Sequence, residues 1–262
     1  MAENPVIRNF DRAVRSGAVA TPSADELGAM YDAPAYTGPR TTTRYMTLDD
    51  VVLRTGAMLA VILAAGAVTW TMVPVERWST VLIIGLMGGL GLGLYMSFKM
   101  VANAPLCLAY AAFQGLLLGA ISKAFENAYQ GIVIQALTGT VMVAAGMLFV
   151  YKIGAIRVTP KFTRIVVGAS IGVFGLMLVN LIAYLFHPGG LGLRDGGAMA
   201  VIFSVICIVL AAANLVVDFD TVERGIRSGA PEKFAWYCSF GITVTLVWLY
   251  IEILRLLGYM RD

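Results

Sequence analysis

Two aspartates, Asp218 and Asp220, stand at the end of a long apolar stretch over 198–220. A glutamate, Glu252, stands three residues before Arg255 late in the next stretch, 236–257. Ionisable groups inside an apolar span are costly and mark ion paths, proton relays or buried pairs. The chemistry within their reach is binding and release of a proton, coupled to whatever passes beside them. Asp218 and Asp220 are two apart, hence about 200° apart around a helix, so only one can face a given neighbour. Asp218 shares a face with Asn214, four residues earlier. Asp220 lies four before Arg224 and can make a local interfacial ion pair with it. The other reading turns an acid into the interior, where its protonation would gate a path. Glu252 and Arg255 read as a pair that anchors its helix near the outer interface by snorkelling. Thr243 and Thr245 are milder polar positions in the same stretch, and Asn180 is a polar amide in the fifth.

The elements that must position these groups are membrane spans. The 262 residues are 59% hydrophobic and 13% charged, about half the charge of an ordinary soluble domain, for which about 25% is usual. Mean hydropathy is +0.80. Seven stretches approach the roughly 20 apolar residues that a spanning helix needs. They cover 51–73, 79–98, 104–122, 128–150, 165–186, 198–220 and 236–257, with turn residues such as Pro74, Asn103, Pro160, Pro188 and Gly189 between them. The expectation is an all-α, polytopic bundle of seven helices over 46–262. Residues 1–45 read as a disordered cytoplasmic tail, in which Ile7, Phe10 and Val14 can form a short amphipathic segment on the membrane surface. Thr47 and Asp50 read as a capping box, Asp50 and Arg54 as an i,i+4 pair, and Thr159-Pro160 as a helix start. Thirteen Lys and Arg residues fall in the tail and the even-numbered loops, against at most five on the other side. That bias places the N-terminus in the cytoplasm and the C-terminus outside. Gly85, Gly89 and Gly93, Gly115 and Gly119, and Gly168 and Gly172 are small residues four apart, which let helices approach closely in lipid, within one bundle or between copies.

Several functions have no residues to carry them. A net charge of +3 without a basic stripe gives nucleic acid no footprint. The three cysteines show no CxxC spacing, and His187 is the single histidine. No metal cluster, zinc protease or GxSxG nucleophile follows, so the chain is not expected to be an enzyme and no cofactor is expected. All five lysines lie at span ends or in loops, which excludes a retinal Schiff base in the seventh span.

The chain resembles the Bax inhibitor-1/YccA-like family of seven-helix membrane proteins. The resemblance rests on Asp218-Phe219-Asp220-Thr221 at the end of the sixth helix and on Ile251-Glu252-Ile253-Leu254-Arg255-Leu256-Leu257 in the seventh. It runs from Met46 to Tyr259, and Asn4-Pro5-Val6-Ile7-Arg8-Asn9 is similar to the bacterial, actinobacterial-type branch. It implies a central seventh helix wrapped by the other six. It also implies a pH-sensitive calcium leak sensed by two acids, one at the position of Asp220 and one at that of Thr245. Threonine does not titrate, so the two-carboxylate switch is incomplete, and Asp218 or Glu252 is left to stand in. From a helix start near Trp236, Thr245 lies ~14 Å in and Glu252 ~24 Å in, so Asp220 is expected to approach Thr245 more easily than Glu252. The alternative that the resemblance carries is a non-conducting regulator that binds and restrains another membrane protein, such as a membrane protease. The partners so implied are the lipid bilayer, Ca2+ or protons, and that second protein.

Overall fold

A computed structural model describes residues 23–25, 28, 44–101, 103–187 and 189–261. The amphipathic segment expected at Ile7, Phe10 and Val14 lies outside them, as does most of the tail. From Arg44 onward the described residues form seven helices: α1 (Leu48–Met72), α2 (Trp78–Lys99), α3 (Ala104–Ala128), α4 (Ile132–Lys152), α5 (Pro160–Phe186), α6 (Ala198–Arg227) and α7 (Phe234–Tyr259). All seven are long and apolar enough to cross a membrane.

The helix starts follow local chemistry. Thr47 accepts from the Asp50 amide while the Asp50 carboxylate accepts from the Thr47 amide, the reciprocal capping box that opens α1. The Asn103 side-chain oxygen Oδ1 accepts from the Leu106 amide before α3. Thr159 takes the Phe162 amide before Pro160 opens α5. The expected Asp50–Arg54 pair does not form. Asp50 is turned back onto Thr47 and onto Arg44, 3.3 Å away. Arg54 reaches Glu232 at 2.5 Å instead and lies 5.3 Å over the Trp236 ring. Tyr45 also pairs with Pro231 and Met46 donates to the Ala230 carbonyl. The chain entering α1 is therefore tied to the loop that joins α6 to α7.

The sixth helix runs seven residues beyond its expected end at Asp220, to Arg227. Its last turns carry Glu223, Arg224 and Arg227, whose charges pair along the helix (Asp220–Arg224 and Glu223–Arg227) and so do not stop it. Tyr151 at the end of α4 donates to Glu223 across to α6. The third helix likewise continues to Ala128 rather than ending at 122.

Helix α7 forms the core. It packs against α6, α1, α4 and α3, and Leu249, Leu254, Thr243 and Glu252 along it are almost wholly buried. The expected wrap of six is a wrap of four. Among the described residues α2 rests on α3 and α5 on α6, and neither touches α7. Glycines set the close approaches. A Cβ on Gly119 would lie 2.6 Å from the Gly66 carbonyl of α1, and one on Gly85 would lie 2.9 Å from the backbone of α3. The small-residue steps of α2 and α3 thus serve packing within one bundle, as expected. Gly168 and Gly172 of α5 meet nothing within 4 Å. Cys107, Cys207 and Cys238 are free and buried.

Candidate functional site

The polar residues singled out in the sequence fall into two groups at different depths. The first joins α6 to α7. Asp218 lies nine residues before the end of α6 and Thr245 eleven residues into α7, so both sit ~14 to ~17 Å from the paired helix ends at 1.5 Å per residue. The last turns of α6 beyond Asp220 carry Glu223, Arg224 and Arg227, so the contact lies just inside the apolar part of that helix. The Thr245 hydroxyl donates to Asp218 Oδ2 at 2.7 Å, and it also lies 3.2 Å from the Gly241 carbonyl. Gly241 leaves room beside the carboxyl, because a Cβ there would already be in contact with Asp218 Oδ1 at 3.4 Å. Among the described residues Asp218 has no ion-pair partner.

The resemblance puts Asp220 opposite Thr245, and the sequence leaves open which aspartate faces inward; in the structure Asp218 reaches Thr245. Asp220 points the other way around the helix and is held by Arg224 at 2.7 Å. The 200° between the two aspartates allows one of them at the α7 contact, and the local cation takes the other. Asn214 shares the face of Asp218 in sequence but bonds elsewhere, donating to Ser170 of α5 at 2.8 Å and to the Leu210 carbonyl at 2.9 Å. It ties α5 to α6 rather than joining the carboxyl. Thr243 donates to the Ser239 carbonyl within α7.

The chemistry of the Asp218–Thr245 contact is two-sided. A hydroxyl is both donor and acceptor. Toward a carboxylate, Thr245 donates its proton. Toward a carboxylic acid it accepts, and its own proton turns to Gly241. A second carboxylate in its place would hold the contact only while one of the two acids kept a proton.

The second group lies near the opposite ends of these helices. Glu252 is 1% exposed. Its two oxygens accept from both terminal nitrogens of Arg194 at 2.8 and 3.0 Å, and Arg255 approaches at 3.3 Å. The expected Glu252–Arg255 anchor is therefore one edge of a three-residue cluster inside the protein rather than a snorkelled surface pair. Sequence reasoning missed Arg194, which comes from the loop between α5 and α6. That loop folds inward through Gly189, Gly190, Gly192 and Gly196, all at positive φ, a backbone that glycine adopts without strain. Asn180 secures it by accepting from the Leu191 amide at 2.9 Å. The run of glycines around a single cation was the available signal.

The sequence pattern of the family described as Bax inhibitor 1 like matches residues 4–262. The chain belongs to that family. It is an integral membrane protein with multiple passes through the lipid bilayer. No curated protein matches the chain.

Proposed function

We propose that this Bax inhibitor 1 like chain is a proton-sensitive cation leak of the cell membrane, with calcium as the ion and Asp218 as the group whose protonation sets the leak. The N-terminus is cytoplasmic and the C-terminus outside. The observation that carries the reading is the Asp218–Thr245 contact between α6 and the central helix, with no cation partner for Asp218 among the described residues. A neutral carboxyl is content there. An ionised one needs water or a cation, and letting either in parts α6 from α7. The described conformation is the closed one, in which Thr245 holds the carboxyl against the central helix. Asp220 and Glu252 carry no proton switch in this reading, because each is already matched to arginine.

Calcium entry into liposomes holding the full chain, at about pH 6 and about pH 8, tests the proposal. The expected result is more flux at the higher pH, lost pH dependence in Asp218→Asn and retained pH dependence in Asp220→Asn. Absence of flux under every condition would remove the leak. Wild-type pH dependence in Asp218→Asn would remove the assigned residue. The second reading, a regulator that restrains another membrane protein, is favoured by α5, which among the described residues packs on α6 alone and leaves Gly168, Gly172 and Gly175 open to a partner. It predicts partner capture without flux.

A further inference from the structure

A groove of about 700 Å³ opens between α1 and α4. Among the described residues these two helices do not touch each other, and α7 forms the back wall through Ile242, Leu246 and Tyr250. Its rim is lipid-facing: Leu63, Val141 and Leu148 are exposed. No charged side chain lines it. Four hydroxyls do, and each is already bonded inside the protein. Thr71 donates to the Ala67 carbonyl and Thr140 to that of Ala136, while Ser122 and Tyr250 bond each other at 2.6 Å. Such a wall offers water nothing, and a cavity with spent polar groups favours an apolar occupant.

The dimensions and the rim select that occupant. Along α1 the wall runs from Leu59 to Thr71 and along α4 from Val133 to Leu148, about 18 and about 22 Å at 1.5 Å per residue. One leaflet of hydrocarbon is about 15 Å deep and a spanning helix needs about 30 Å, so the groove suits a single lipid chain and is short for a transmembrane helix. One end sits at headgroup level. Trp70, two residues from the end of α1, lines it, and Trp78 opens α2 beside it; tryptophan marks the interface. Lys123 stands there too. Its ammonium donates to the Trp70 carbonyl at 2.5 Å and lies 5.5 Å over the Trp78 ring, which leaves further N–H donors for a phosphate. The neighbouring acid of α3, Glu126, is occupied by the Gly131 and Val133 amides at 2.6 and 3.2 Å.

We propose that this groove is a phospholipid site, with one acyl chain between α1 and α4 and the headgroup phosphate on Lys123. The site stands whether or not the chain conducts ions. Its inner end is lined by Phe219 and Leu246.

The test is native mass spectrometry of the full chain, delipidated in detergent and then given phosphatidylglycerol or phosphatidylcholine. The unmutated protein is expected to retain one phospholipid, with phosphatidylglycerol preferred. Ala144→Trp and Leu137→Trp, which fill the groove from the α4 side, are expected to weaken retention about tenfold or more, the loss that two displaced methylenes would give. Lys123→Gln is expected to keep a lipid and lose the headgroup preference. A delipidated wild-type chain that takes up neither lipid overturns the site. So does wild-type retention in both tryptophan variants, or a lipid-free dimer closing over the groove.

Discussion

Replacing Glu252 by glutamine should destabilise the protein more than replacing Arg194 by glutamine. Glu252 is 1% exposed and is the only acid among three bonded charges. Removing it leaves Arg194 and Arg255 facing each other without a counter-charge, their side chains only 18% and 30% exposed. Breaking a buried pair by deleting one partner costs about 3–5 kcal/mol. The partial exposure of both arginines puts the expected value at the lower end, about 3 kcal/mol. Removing Arg194 is a different event. It deletes a bidentate, charge-assisted contact, at about 1.5–3 kcal/mol, but leaves Glu252 matched to Arg255 at 3.3 Å. Arg255→Gln, losing the longer single contact, should cost least. The ranking can be read from reversible unfolding of each variant in mixed detergent micelles against denaturing surfactant. A difference of about 1 kcal/mol between the first two is roughly a fivefold change in the unfolding equilibrium constant. If Arg194→Gln proves as damaging as Glu252→Gln, the cluster is held by the arginine's packing over Phe203, 5.2 Å away, and not by charge balance.

Two further outcomes follow from the helix contacts. Gly119→Leu should abolish the folded, monodisperse protein on gel filtration, because a Cβ there already meets the α1 backbone at 2.6 Å, whereas Gly172→Leu on α5, with nothing within 4 Å, should leave it intact. A double-mutant cycle of Thr245→Val with Asp218→Asn should return a coupling of about 0.6–1.7 kcal/mol, the range for hydrogen bonds between membrane helices. A coupling near zero would mean that the 2.7 Å contact does not hold α6 to α7.

The seven spans were legible because each needs its own run of apolar residues, and hydropathy reports this directly. Their ends were less so. Hydropathy falls away where charges accumulate, as from Asp218 and Asp220 onward, while the helix continues as long as Asp220, Glu223, Arg224 and Arg227 can pair along it. The caps at Thr47 and Thr159 were readable because their chemistry is confined to one turn. The choice between Asp218 and Asp220 was not readable. Both share composition and neighbourhood, and only the packing of α7 against α6 decides which one meets Thr245. Arg194 was hidden for a related reason: it reaches Glu252 across 58 residues, and the glycines around it mark an irregular loop without naming the acid it meets.

The central helix is also the one synthesised after the other six. When α1 to α6 have left the ribosome and entered the bilayer, the surfaces of α1, α3, α4 and α6 that will hold α7 still face lipid or one another, and Arg194 has no acid to meet. The contacts of α1 with α3 and of α2 with α3 need no α7, whereas those that bring Thr245 to Asp218 and Glu252 to Arg194 must wait for it.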